Sequence, residues 1–475
     1  MELPDVGRLL AIDERAVQSL AERLRAAGLG PAFAAKLARV GERLDDALRA
    51  PMRTWHARRV TGAAGALGRL FLLHDPVAVA EAQEALGDLA PLVEAGLLEE
   101  GTAGVTSPVH LALVSDAFCF GDVPGLGGDA VMPVCGGTLE LVRAALPAAP
   151  VGSALDLGCG AGPVAILLAR AAARVVASDV SPRALAFARF NLALNGVTNV
   201  ELREGDLYET VRSERFDRIA AHPPFVARPA GAPASTFVHG GVRGDELPLR
   251  VLAGAPEHLT ATGRAIVLGD WPLVDGDPLD ARVRAAVGAD PTDVLVLQSP
   301  PKNLDEYCTL LAAVEHRTLG EPFARAAVAH RDHLDRLGLR GLALACVVVA
   351  RASGAPGWTA LVPVRHATDA PLAGDAVERI LAAHALANAP ASTLAEARLR
   401  FPAGSRRVEQ PMPGGAPPSL VVQPAPGSPQ GPAVFDARVA ALLARIAEAA
   451  CVGDAGDGAL DAARDALRKG ALAVT

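Results

Sequence analysis

At 475 residues, with 51% hydrophobic and 21% charged side chains, the chain has globular composition and ample core material. That length predicts about two to four domains. A net charge of −8 and a pI near 5.8 exclude a general basic field of the kind that coats nucleic acid. Six scattered cysteines without a CxxC pair read as buried free thiols in a reducing compartment, and no metal is expected. No apolar signal region stands near residue 1 and no apolar run reaches membrane-spanning length, so the expected location is cytoplasmic, without a membrane partner.

Residues 1–105 read as helical. Leu67, Leu70, Phe71 and Leu73 form an apolar helix face that Pro76 ends, and Gly96 is placed to cap a later helix. Alternating Val105, Val109, Leu111 and Leu113 predict a hairpin, with a connecting helix completing residues 106–150. Helices followed by a hairpin resemble a winged helix. Without a basic recognition helix, a docking role is favoured over DNA binding. Arg49, Arg53, His56, Arg58 and Arg59 form a basic cluster, best read as a solvated helix face.

From 151 to 365 strands and helices alternate, as in a parallel α/β sheet. Strands are predicted over 154–157, 175–179, 200–203, 218–221, 265–268, 294–297 and 342–349, and helices over 163–171, 182–194, 248–259, 281–287 and 322–337. Residues 366–475 form a C-terminal module. Its segment 402–432, rich in Pro and Gly, reads as a linker, followed by helices over 435–449 and 461–472.

The chemistry concentrates between Ala154 and Phe225. A strand carrying Asp156 leads into Gly158, Gly160 and Gly162, then a helix. Glycines permit a tight turn and let a ligand approach the backbone, while the helix start offers free N–H groups. Asp179 ends the second strand, where a carboxylate can accept two ribose hydroxyls. Its plainer role is a helix cap, for which Ser181 is better placed. Asp206 follows the third strand, where it can accept from an adenine amino group or act as an ordinary turn residue. Three acids in register on successive strands favour a nucleoside cofactor. After the fourth strand comes His222-Pro223-Pro224-Phe225.

These motifs resemble class I S-adenosylmethionine-dependent methyltransferases, in particular the small-domain group that includes protein-glutamine N5 and ribosomal-RNA base N-methyltransferases. The resemblance covers about 131–349. It implies a Rossmann-like seven-stranded sheet, flanked here by a winged-helix-like N-terminal module and a small C-terminal helical one. It implies that Asp156, Gly158, Gly160 and Gly162 serve the methionine moiety of S-adenosyl-L-methionine, that Asp179 holds the ribose, and that Asp206 and Leu207 lie by the adenine. It also implies that Thr138, at the start of the preceding helix, stands over the cofactor.

In that family the tetrapeptide opens with Asn or Asp. A side-chain oxygen and a backbone carbonyl accept both N–H bonds of a planar nitrogen, aiming its lone pair at the methyl group, while the aromatic residue stacks on the target. His222 departs from this, since a neutral imidazole accepts one hydrogen bond and an imidazole of ordinary pKa is also a base. The expected function is methylation of a nitrogen in a protein or RNA. Two further readings stay open: a small-molecule O- or N-methyltransferase with His222 as general base, and a non-catalytic cofactor-binding regulator or scaffold. His239, Arg243 and Asp245, in a Gly-rich segment that reads as a flap or a surface loop, are further substrate-contact candidates. Tyr307 reads as structural.

Overall fold

The computed structural model describes all residues except 1–2, 41–45, 124–127, 230–236, 289–290, 317, 353–355, 366–371, 413–416 and 475. Helix α1 (Gly136–Ala145) leads into β1 (Val151–Leu157), α2 (Pro163–Leu168), β2 (Ala172–Asp179), α3 (Pro182–Leu194), β3 (Val200–Glu204) and β4 (Phe216–Ala221). Helix α4 (Glu246–Gly254), β5 (Leu259–Val274), α5 (Leu279–Val287), β6 (Thr292–Gln298), α6 (Leu304–Glu315), α7 (Glu321–Arg336), β7 (Leu339–Arg351), β8 (Thr359–Pro363) and α8 (Gly374–Asn388) follow.

The eight strands form one sheet in the order β8-β6-β7-β5-β4-β1-β2-β3. Every pairing is parallel except the two made by β7. Central strands covered on both faces read as continuous apolar runs, and β6 is buried from Thr292 to Leu297. Strand order reverses between β1 and β4, the switch point where open α/β sheets bind ligands. Leu157 pairs with Ala221 there, so the turn after β1 and the tetrapeptide after β4 leave the sheet side by side.

All seven predicted strands are present, and β8 adds an eighth at the edge. Only Val362 of β8 is buried, so its sequence lacks the apolar run that marked the others. Helix α6 also went unpredicted, although Asn303 caps it through the N–H groups of Asp305 and Glu306.

One face of the sheet packs on α1, α2 and α8, the other on α4 and α5. The N-terminal region has no separate core. Leu20, Leu24, Leu67, Leu70, Phe71 and Phe120 bury against Phe187, Phe190 and Leu194 of α3. Phe120 stands edge-on to both Phe71 and Phe190, at 5.1 and 5.7 Å. Asn191, fully buried, donates to the carbonyls of Phe120 and Ala161 and accepts from the Phe120 N–H, tying the hairpin to the sheet. Asp122, also fully buried, takes Arg183 of α3 in a two-pronged pair. The basic cluster is partly spent: Arg58 binds Asp75 through both prongs and Arg59 lies over Trp55. The Arg49 side chain lies outside the described residues.

Segment 402–432 is more than a linker. Its strands Arg406–Gln410 and Ser419–Gln423 pair with each other, and the second pairs with Ala433–Phe435. Alternating Leu420 and Val422 give this small sheet an inner face, which Pro and Gly content alone concealed. Two helices, Ala437–Glu448 and Ala459–Arg468, complete a C-terminal core. Helix α8 joins the two cores: Val377 and Ile380 pack on the sheet and Ala387 on the C-terminal cluster, while Glu378 pairs with Arg218 of β4. Among the described residues no helix is long and apolar enough to cross a membrane, and no group of three His, Cys, Asp or Glu side chains could hold a metal ion.

Candidate active site

The glycine turn is built by backbone geometry. Gly158, Gly160 and Gly162 have φ of +75°, +53° and +84°, which side-chain-bearing residues rarely adopt. Their surroundings differ. A Cβ on Gly158 would meet nothing within 4 Å, and one on Gly160 only Val131, at 3.8 Å. A Cβ on Gly162 would come within 3.3 Å of Ala188 on α3. The first two therefore leave an open, side-chain-free face, and the third permits close packing.

The acids hold this turn. Asp156 is 2% exposed and its Oδ2 accepts the Ala165 N–H at 2.8 Å, fixing the start of α2. Burial, with the charge of Asp179 adding to it, pushes the Asp156 carboxyl up to about 7. Asp179 accepts from Gly160 N–H at 2.8 Å and from Ser181 N–H at 2.9 Å, and burial raises its pKa as well. Ser181 caps α3, so Asp179 is not used as its cap. Each Asp179 oxygen keeps an unused lone pair. Asp206 is half exposed and faces Arg250 at 3.1 Å, and Leu207 beside it adopts a positive φ of 45°. Thr138 sits in the first turn of α1, where its Oγ1 accepts the Cys135 N–H at 3.4 Å in a capping box.

At the end of β4, His222 is partly buried and its Nε2 wholly so, with no hydrogen-bond partner among the described residues. A buried polar atom left unpaired costs about 1–3 kcal/mol, which a bound molecule can recover. Helix α1 starts directly against this ring. A Cβ on Gly137 would fall 2.6 Å from His222 Cε1 and 2.9 Å from Nε2, so only glycine fits. Burial, and behind it the charge of Lys302, lowers His222 to about 4. The imidazole is thus neutral at pH 7. Phe225 lies tilted against it, 5.3 Å between ring centroids, and rests on Gly269 of β5, whose Cβ would touch the ring at 3.4 Å. Pro223 and Pro224 carry the chain from one ring to the other.

Beyond the tetrapeptide the Gly-rich segment is pinned. Asp245, with no exposed surface, receives Arg243 Nε at 2.7 Å and Arg282 Nε at 3.1 Å. Glu246 accepts the N–H groups of Arg243 and Gly244, and His333 of α7 meets the Val242 carbonyl at 2.8 Å. Gly240 lies so close to Pro224 that a Cβ would stand 2.4 Å from its carbonyl oxygen. Arg243 and Asp245 thus brace the back of the tetrapeptide, and neither the flap nor the plain surface loop describes the segment. His239 pairs the same segment with Val226 in a short parallel bridge.

Sequence reasoning missed Asp270 and Lys302. Asp270 is 5% exposed and directly follows the glycine under Phe225, and Lys302 Nζ stands 2.7 Å from both of its carboxylate oxygens. Their signal was positional, since each follows the C-terminal end of a predicted strand near the switch point.

An α/β sheet with an open glycine turn and, beside it at the switch point, a buried histidine against an aromatic ring defines a Rossmann-like fold with a candidate ligand site. Residues 136–270 match the family described as methyltransferase small domain, which bears out the resemblance over that segment. The release factor glutamine methyltransferase of Xylella fastidiosa (strain Temecula1) is 36% identical over 127 residues, 24% of this chain and 46% of its own. The ribosomal protein uL3 glutamine methyltransferase of Bordetella pertussis is 39% identical over 121 residues, 23% and 41% of the two chains. The ribosomal RNA small subunit methyltransferase C of Aeromonas hydrophila is 33% identical over 135 residues, 28% and 34%. The chain thus spans between about a third and half the length of these curated relatives. An rRNA methylase structure from Streptococcus thermophilus aligns with 46% of this chain and 98% of that one at 16% identity and a TM-score of 0.26.

Proposed function

We propose that this chain is an S-adenosylmethionine-dependent methyltransferase acting on a planar nitrogen of a protein or RNA. The observation that carries the proposal is a pairing: an open glycine turn after β1, and one strand away an unpartnered, buried His222 Nε2 beside an aromatic face. The residues present fit the cofactor. Gly158 and Gly160 offer a face free of side chains, and Asp179 keeps lone pairs for ribose hydroxyls. Asp206 and Leu207 are assigned to the adenine end and Thr138 to the methionine end, as the family resemblance implies. Asp156 acts through the turn by holding Ala165. When bound, the cofactor supplies an electrophilic methyl group on a sulfonium.

The chain's own part is to position the acceptor. A neutral His222 accepts one N–H of the target and a backbone carbonyl of Pro223 or Pro224 accepts the other. Phe225 stacks on the plane of the target. Gly269 and Gly137 fix the two rings. A base of pKa about 4 holds almost no proton after transfer at pH 7, which favours positioning by His222 over general-base chemistry on a hydroxyl. The relatives' names, glutamine of a release factor or ribosomal protein and ribosomal RNA, support a macromolecular acceptor. Such acceptors are cytoplasmic, in keeping with that expected location.

Thermal shift with S-adenosylhomocysteine tests the cofactor, and transfer of a tritiated methyl group to protein, RNA and small-molecule fractions of a bacterial lysate tests the acceptor. A raised Tm and label in protein or RNA are expected. No stabilisation by either form of the cofactor overturns the function, label confined to small molecules overturns the acceptor, and stabilisation without label points to a binding protein.

A further inference from the structure

We propose that Lys302, held by Asp270, and Tyr307 form an acceptor-anchoring subsite that takes a neutral carbonyl oxygen carried next to the target nitrogen, as in a carboxamide or lactam. This inference rests on the methyltransferase reading above.

The three side chains come from separate elements and meet on the acceptor side. Asp270 on β5 follows Gly269, which floors Phe225. Its side chain is 6% exposed, whereas that of Lys302 is 33% exposed, so the pair is fixed from inside and open outward. An ammonium has three donors; one goes to Asp270 Oδ2 at 2.7 Å, while Oδ1, at the same distance, makes only an ion-pair contact. The remaining donors have no protein partner among the described residues. Lys302 also lies 5.8 Å from the ring centroid of Tyr307 on α6. Tyr307 is 7% exposed and its hydroxyl is buried without a hydrogen-bond partner among the described residues. A phenol kept only for packing would be bonded or replaced by phenylalanine, so an unpaired hydroxyl beside an ion pair calls for a ligand.

Gly269 under Phe225 adjoins Asp270, and Tyr307 packs in one cluster with Ala227, two residues past Phe225, which sets the group beside the proposed acceptor position; the Lys302 charge acts on the His222 imidazole in keeping with this. Charge balance selects the ligand. The Asp270 carboxylate offsets the ammonium, so the subsite offers donors without net charge, which suits a neutral carbonyl and disfavours a phosphate. Lys302 and Tyr307 both lie outside residues 136–270, the segment that the family matches, while Asp270 is its last residue. The structural role expected for Tyr307 accounts for its ring and not for its hydroxyl.

The test uses full-length protein and two readouts. In the acceptor fraction labelled by the wild type, Lys302→Met is expected to raise the half-saturating acceptor concentration at least tenfold, Tyr307→Phe about threefold, and Lys302→Arg less than Lys302→Met. Calorimetric affinity for S-adenosylhomocysteine is expected to stay within twofold in all three. Independently of turnover, the His222 imidazole in Lys302→Met is expected to titrate at higher pH by NMR. Half-saturation within twofold of wild type in both Lys302→Met and Tyr307→Phe, or an unmoved His222 titration, overturns the subsite while leaving the function intact. A wild type that binds no S-adenosylhomocysteine overturns the function and the subsite with it.

Discussion

The two sides of the switch point are finished to different degrees. On the β1 side the acids are satisfied internally: Asp156 and Asp179 bind backbone N–H groups, and Ser181 caps α3, with only the Ser178 hydroxyl left over among the described residues beside the turn. The open surface there is bare backbone. On the β4 side polar groups are left over: His222 Nε2 and the Tyr307 hydroxyl are buried without partners among the described residues. A turn completed by its own chain accepts one invariant ligand by shape. A pocket with unpaired groups waits for a particular partner to complete it. Under the proposed function, specificity therefore resides around β4 and β5 rather than in the turn.

Breaking the turn gives the largest expected effect. Gly158→Val puts a branched side chain at φ +75° and into the open face, so affinity for S-adenosylhomocysteine should fall about 100-fold by calorimetry, in line with about 1–3 kcal/mol of backbone strain plus lost contact. Unchanged affinity would remove the cofactor from this face. Next, His222→Ala should lower kcat about 30-fold with cofactor affinity intact, roughly one well-placed hydrogen bond. Because the imidazole is held near 4, it stays neutral from pH 6 to 8 and contributes no limb to the pH profile in that range. A limb near pH 6.5 that vanishes in His222→Asn would restore the base reading.

Gly137→Ala drives a methyl group into the His222 ring and should cost about 1–3 kcal/mol by denaturant titration, with kcat falling while cofactor affinity holds. The smallest effect concerns Asp156. Its folded pKa of about 7 lies above the ordinary 3.8, so its stabilising contribution is fully present below the unfolded value and is lost as pH rises through 7. Asp156→Asn should therefore gain on wild type in Tm by a few degrees as pH rises from about 4 to 7, and a difference independent of pH would contradict the buried carboxyl.

The same contrast explains what was legible in the chain. The turn is local: Asp156, the three glycines and Asp179 lie within one βαβ unit, so spacing exposes them. His222 was legible by motif, and its neutrality was not, because the burial and the Lys302 charge that cause it come from the fold. Asp270, Lys302 and Tyr307 stand on three elements and share no pattern. The C-terminal small sheet was hidden for another reason, since proline and glycine dominate its loops while only a few apolar residues mark its strands. The sharing of one core by the N-terminal helices and α3 was likewise invisible, because each side alone looks like an ordinary amphipathic face.

That shared core limits how this protein can be taken apart. Phe187, Phe190 and Leu194 bury against residues more than sixty positions upstream, and Arg183 is clasped by Asp122 and the Pro4 carbonyl. A cut at residue 150 would strip α3 of its cover and expose a wide apolar face directly behind Asp179. The sheet unit is therefore not portable. It cannot be grafted to another targeting module or trimmed free of the N-terminal helices, and anything that grips those helices also grips the element behind the glycine turn.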